Sequence, residues 1–493
     1  MLDFWFLIAR NCFFVLFIKR TCFYNFYHFN NSSGFGLLAI YKRKPQYFLV
    51  PFIAFVVGIG MYYLSISNFN RGIDHTPKTI ETRIYNISNE QNGMIKVECD
   101  NCNFDGKKNH DNLILYIYDN SGLFTNIEVG SVIKFKPYRF YKSDLFNYGT
   151  PNAKLFADDL KYTASVLSKD ITYLKTDKTF AEFVKDKIKD NLYLGLTNEN
   201  AEIAYSALFG DKDLLPEKQY DVFKLSGVAH LLAVSGLHVG IILGILTKLF
   251  AWRKRRRWYK LGIISFILLL YAYLCGFSIS IVRASIMSII LLLASKLGKE
   301  YDSFNAISIA GIVIFLMNPL CIFDVGFLLS FSCVIGITML YKPIFRVVQK
   351  MKMPKPIAEG ISISLATTTA ILIIMAYFFK TLNIISILAN VILIPIFTIA
   401  FIITFVLAFV SLILPFVGYL LYPINYIFNI INLIATILGN LSISNFNTLE
   451  FNFVAIIIYF ILLLFLGRFC TAKYQYKIIS TLPMVALLFY CLL

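Results

Sequence analysis

Charge is scarce in this chain: Asp, Glu, Lys and Arg make up only 15% of 493 residues, while hydrophobic side chains make up 58%. That balance excludes an ordinary soluble globule. Acidic residues are the scarcer sign, 29 against 46 basic. Histidine is rarer still, with five in all and none beyond His238, so the C-terminal half carries no histidine-ligated zinc centre. No GxxxxGK[ST] loop occurs, which excludes a P-loop motor within the chain. A cleavable leader is also missing from the expected pattern. Residues 3–18 are apolar but hold Arg10 and Asn11 at their centre with no small-residue cleavage site, and so read as an interfacial or extra helix.

What the chain does have is long apolar runs and a skewed distribution of basic residues. Its net charge is +17. Residues 65–227 carry about 21 basic against about 23 acidic side chains, so this region is close to neutral. The remainder carries about 25 basic against about 6 acidic, mostly in short segments flanking apolar runs, which is the positive-inside pattern of a polytopic membrane protein. The excess charge therefore reports topology rather than a nucleic-acid-binding surface. Lys42, Arg43 and Lys44 precede a first span at 47–64, which places 65–227 outside the cytoplasm.

Five short β-patterned runs, at 79–87, 94–99, 112–118, 131–138 and 161–167, are separated by Asn, Gly and Asp clusters and predict a small β-barrel. A capping-box pattern, Thr179 with Glu182 three residues on, then opens an amphipathic helix that shows Phe180, Phe183, Val184, Ile188 and Leu192 on helical spacing. A second helix stops at Gly210, and Pro216 opens a third. From 228 onward, ten apolar runs follow: 228–250, 258–277, 281–297, 304–318, 321–340, 357–379, 384–413, 417–439, 452–467 and 478–493. With the first span they make about eleven transmembrane helices. The 384–413 run is too long for one upright helix and contains Pro395, which predicts a broken or re-entrant helix there. The resulting domain reading is an aromatic-rich segment at 1–46, a first span at 47–64 and an extracytoplasmic β domain at 65–170. An amphipathic linker at 171–227 and a multi-helix domain at 228–493 complete it.

The chemistry-bearing residues are few. HLLAVSGLHVG, from His230 to Gly240, sets two histidines and a serine in an apolar run that ends in a basic knot from Arg253 to Arg257. Ser235 and His238, three apart on one helix face, have the spacing of a nucleophile and its base, but no acidic residue in the segment can orient the imidazole. The alternative reading is that Ser235 bonds back to the helix, Gly236 and Gly240 admit close helix approach, and His230 and His238 line a wet cavity. Arg283, among Ser278, Ser280 and Ser285, is either an interfacial anchor or a phosphate contact. Asp324 is read as a helix cap or the partner of a basic group, and Asn390 with Pro395 marks the interrupted run. Of nine cysteines, only Cys99 and Cys102 lie in the extracytoplasmic region. They are a candidate disulfide, and with only His110 nearby they fall short of a metal site. No cofactor is expected.

GDKDLLPEKQYDVFKLSGVAHLLAVSGLHVG at 210–240, followed in order by GFSISIVRAS, NPLCIFDVGF and LANVILIP, resembles the ComEC-type competence channel family. The resemblance runs from about Tyr47 to Leu414. It implies an OB-like extracytoplasmic domain and a helical channel that takes up single-stranded DNA through the cytoplasmic membrane during natural transformation, without hydrolysing it. Lys134, Lys136, Tyr138, Arg139, Phe140, Tyr141 and Lys142, a basic and aromatic strip, are the candidate DNA contacts on such a fold, half of whose alternating aromatics must be core. His230, Ser235, Gly236, His238, Arg283, Asp324, Asn390 and Pro395 are the candidate pore residues. The implied partners are single-stranded DNA, the lipid bilayer, a periplasmic DNA-delivery protein, a cytoplasmic motor or single-strand-binding protein, and a second copy of the chain. The chain departs from the family pattern at Leu328, where glutamine is common, and in the absence of a proline within 367–370. The metallo-β-lactamase-like domain of many members is not expected here. A permease for a smaller anionic or amphiphilic molecule is the alternative function, and an intramembrane serine hydrolase is the third.

Overall fold

The computed structural model describes residues 46–72, 75–89, 94–109, 111–118, 127–144, 146–147, 150–151, 155–156, 158–212, 214–250, 257–383, 385–441, 446–447 and 459. Two units emerge, one of 1–179 with 305–324 and one of 180–304 with 325–493. The readings for residues 1–45 and for nearly all of the two last apolar runs lie outside the described residues.

In the first unit, helix α1 (Gln46–Asn70) precedes strands β1 (Ile80–Asn89), β2 (Met94–Phe104), β3 (Asn112–Tyr118), β4 (Ser131–Phe135), β5 (Arg139–Lys142), β6 (Leu160–Leu167) and β7 (Ile171–Thr176). The strands form because β-branched and aromatic residues alternate with polar ones, and the inward set makes the core. Ile80, Ile84, Val97, Cys99, Leu113, Leu115, Ile117, Ile133, Tyr162 and Ala164 are all fully buried. The ladder order is β7-β4-β1-β2-β3-β6-β5, with β3 and β6 parallel and the other pairs antiparallel. This hydrogen-bonded path is open. Its β4 and β5 are nevertheless consecutive pieces of chain, separated only by Lys136, Pro137 and Tyr138. Proline offers no N–H to a ladder, so the strand breaks there. The first piece lies between β1 and the terminal strand β7, and the second forms the other end of the path, on β6. The end of α1 is tied to this sheet by Lys142, whose Nζ donates to the Asn70 carbonyl.

In the second unit, α2 (Phe180–Gly195), α3 (Asn198–Phe209) and α4 (Glu217–Leu225) start and stop where the punctuation says they should. Gly210 takes φ +78° and closes α3 on the Ser206 carbonyl, while Pro216 stands at the N-cap of α4. The apolar part follows as α5 (Gly236–Leu249), α6 (Arg257–Leu274) and α7 (Ile279–Lys296). The chain then passes through α8 (Ser303–Met317), of which 305–317 belongs to the first unit, before returning as α9 (Val325–Gln349), α10 (Lys355–Phe379), α11 (Ser386–Ser411) and α12 (Ile424–Gly439).

Among the described residues, α7, α9, α10 and α11 are long and apolar enough to cross a membrane. The 3-10 turn Pro415–Leu421 with α12, bent by 46°, is a possible fifth span. The protein is mostly helical, with these candidate spans and a separate β-sheet unit.

Two expectations are corrected. Residues 228–250 do not form one crossing helix. A 3-10 turn covers Ala229–Leu231, Ser235 is extended at φ −132° and ψ 175°, and the α-helix starts only at Gly236. Fourteen residues span about 21 Å, short of a hydrocarbon core of about 30 Å. The 384–413 run is likewise not broken at Pro395, because α11 continues through it for 26 residues.

Candidate functional site

Ser235 is where the motif departs from a plain apolar helix. Its Oγ accepts from the Leu237 N–H at 3.3 Å, and its own N–H donates to His238 Nδ1 at 3.0 Å, so the two side chains close a reciprocal capping box. Two of the amides orphaned at this helix end are thereby satisfied. Ser235 therefore caps α5 rather than bonding back from within it, and it does not share a helix face with His238 as expected.

Because Nδ1 accepts from a backbone N–H, the neutral ring carries its proton on Nε2. That atom is buried and has no hydrogen-bond partner. The ring is held edge-on by Phe401 at 4.5 Å and Phe397 at 5.8 Å, both on α11. Ser235 Oγ does lie 3.1 Å from Nδ1. Even so, the contact does not make a working nucleophile, since the Nδ1 lone pair is shared with an amide and, among the described residues, no carboxylate meets Nε2. His230, on the 3-10 turn, is exposed, whereas His238 is fully buried.

Arg283, on α7, is 5% exposed. Its Nη1 donates to the Ser330 carbonyl on α9, and its guanidinium carbon lies 5.8 Å from the Phe331 ring centre. Gly236 faces it closely, because a Cβ there would stand 3.1 Å from Arg283 Nη2. Gly240, by contrast, has open space where a Cβ would go. Asn390 donates to Ser364 Oγ at 3.3 Å and leaves its Oδ1 buried and unpartnered, while Pro395 lies inside the unbroken α11. Asp324, extended at φ −76° and ψ 125°, stands directly before α9.

On the sheet unit, alternation along β4 and β5 divides the strip. Lys134, Lys136, Tyr138, Arg139 and Tyr141 are exposed, with Tyr138 at 74%. Phe140 turns inward and stacks on Tyr162 at 5.2 Å, so its ring serves the core. Cys99 and Cys102 are free thiols, both fully buried, rather than a disulfide. Cys102 Sγ lies 3.2 Å from Thr82 Oγ1. Burial pushes the Cys102 thiol up to about 12 and Cys99 well above its ordinary value.

A polar cluster not anticipated from the sequence joins α2 and α3 to α12. Asn425 Oδ1 accepts from the Thr197 N–H at 3.0 Å and from Asn200 Nδ2 at 2.9 Å, and its Nδ2 donates to the Gly195 carbonyl at 2.9 Å. Asn200 also donates to Asn429 at 2.9 Å. The signal was present in the sequence, because Asn425, Asn429 and Asn432 recur at helical spacing within an apolar segment.

Comparison with known proteins adds to this geometry. The competence protein family model matches residues 207–473, more than half of the chain, including the α5 cap, Arg283 and the asparagine cluster on α12. The chain belongs to the competence protein family. It is 31% identical over 208 residues to ComE operon protein 3 of Bacillus subtilis, a match covering 41% of this chain and 25% of that protein. Against Recombination protein 2 of Haemophilus influenzae it is 27% identical over 147 residues, covering 28% of this chain and 18% of the other. An uncharacterized protein of Aquifex aeolicus is 29% identical over 177 residues, 35% of this chain and 40% of that one. The matched stretch thus spans a quarter or less of the first two relatives. No solved structure matches this competence-family chain.

Proposed function

We propose that this competence-family membrane protein passes single-stranded DNA inward through the cytoplasmic membrane without hydrolysing it. The observation that carries this reading is the outer face of β4 and β5. Lys134, Lys136, Tyr138, Arg139 and Tyr141 are exposed side by side while Phe135 and Phe140 face the core. Exposed aromatics offer stacking platforms for bases, and the interleaved cations track phosphates. The strip lies on a sheet in which β4 sits one strand in from one end of the path while β5 forms the other end, and we read this as OB-like closure through the bend at Pro137. The outward placement of this unit rests on the charge asymmetry of the flanking segments. The capping role of Ser235 supports a channel over a hydrolase. A delivery protein outside and a motor or strand-capturing protein inside would supply what the chain lacks.

The test is transformation of a clean deletion strain. With DNA already in the periplasm, import of both linear and circular DNA should fail and return with the full-length gene. Normal import together with a nutrient or export defect would favour a permease instead.

A further inference from the structure

Arg283 is a buried cation. Around it stand the Ser330 carbonyl and the Phe331 ring and, among the described residues, no carboxylate. Nη1 is spent on the Ser330 carbonyl, Nε is buried with no partner, and among the described residues no carboxylate pairs with the guanidinium. Ser285 Oγ, two residues on, is also buried and unpartnered. A buried cation without a counter-charge is costly unless something anionic completes it.

The same guanidinium lies over Gly236, the first residue of α5, where the helix dipole presents partial positive charge although the amides of Leu237, His238 and Val239 are already spent on Ser235. A 14-residue helix N-terminus and a buried, incompletely satisfied arginine therefore converge on one point. Ser235, Gly236 and Ser280 around it are each only partly buried, which leaves a side of approach.

We propose that Arg283 and the N-terminus of α5 form a binding site for one phosphodiester group of the DNA strand. This rests on the reading that the chain carries DNA, and it names where a backbone phosphate docks in the helical unit. A side chain larger than methyl at Gly236 would take the place of Nη2, since even a Cβ there would stand 3.1 Å from it. The planar fork suits a phosphate in a way that a lysine point charge does not.

The experiment uses the full-length protein in nanodiscs and measures binding of a fluorescent oligothymidylate across a salt series. Arg283→Gln and Gly236→Leu are compared with wild type, each shown to be folded by its melting curve. Both variants should bind about tenfold or more weakly. The slope of log affinity against log salt should fall by about 0.7 in each, the loss of one phosphate contact on a single strand. A methylphosphonate oligothymidylate, whose linkages are uncharged, should bind wild type and variants alike. Nanodiscs with and without phosphatidylglycerol separate the sources of phosphate. If the oligonucleotide slope stays intact in the variants while only the stabilisation by phosphatidylglycerol is lost, the ligand is a lipid headgroup and the proposal fails. If wild type binds and the variants keep its slope in every lipid, the site is refuted while the DNA reading stands. If wild type binds no oligonucleotide at all, the DNA reading itself falls, and the phosphodiester assignment with it.

Discussion

Ser235 and His238 carry a motif that invites a catalytic reading, and their hydrogen bonds argue for a mechanical one. The serine hydroxyl accepts from Leu237 and the imidazole accepts from Ser235, so each side chain ends the backbone's search for partners at the start of α5. Ser235→Ala should therefore cost about 1 kcal/mol of stability. Ser235→Asp, which can still cap, should recover it, and both should keep most DNA import in a transformation assay. Complete loss of import in a well-folded Ser235→Ala protein would restore a nucleophile. Cys99 and Cys102 illustrate the same control by environment. Their thiolates are disfavoured by burial in the sheet core, so alkylation at neutral pH should be slow in the native protein and rapid in denaturant. Mass spectrometry of the trapped protein decides this, and a native Cys99–Cys102 disulfide would overturn it.

At the scale of elements, the informative contacts join segments far apart in sequence. The carbonyl of Gly418, in the 3-10 turn Pro415–Leu421, sits only 2.2 Å from where a Cβ on Gly195 would be, so α2 and that turn touch backbone to backbone. The asparagine cluster closes the same junction beside them. Gly195→Ala should force the backbones apart at a cost of about 1–3 kcal/mol, seen as a lower melting temperature of the purified protein. An unchanged melting temperature would show that the junction gives way easily. These contacts also show what the sequence could and could not reveal. Strands β1 to β4 and β6 were legible because half-buried strands alternate, and α3 and α4 because Gly210 and Pro216 mark their ends. The non-helical stretch before Gly236 was hidden, since Leu231, Leu232 and Val234 are as apolar as the helix that follows. Strand β7 was assigned to a linker because its exposed residues give no core signal. Arg283 was legible as an oddity, but its contact with Gly236, 47 positions away, is tertiary and leaves no local pattern.

For the whole molecule, charge has to be read by region. The sheet unit and the segment after it are close to neutral, so single-strand binding there must rest on a local strip rather than on a general positive field. Within that strip the residues are not equivalent. Lys134 is paired across the ladder with Glu81, which offsets its charge, while Lys136 and Arg139 stand at the bend where no ladder acid faces them. Removing Lys134, Lys136 and Arg139 together from the full-length protein should lower the salt slope of oligonucleotide binding by at most about 2, with Lys134 contributing least. Tyr138→Ala and Tyr141→Ala should act differently, each weakening binding by about 1–3 kcal/mol per lost stacked base with the slope unchanged. The two classes of variant thus separate on one salt titration, stacking shifting the line and charge tilting it. If the triple variant leaves the slope untouched while the tyrosine variants leave affinity untouched, DNA does not meet the β4–β5 face, and the strip is only the solvated side of a small sheet.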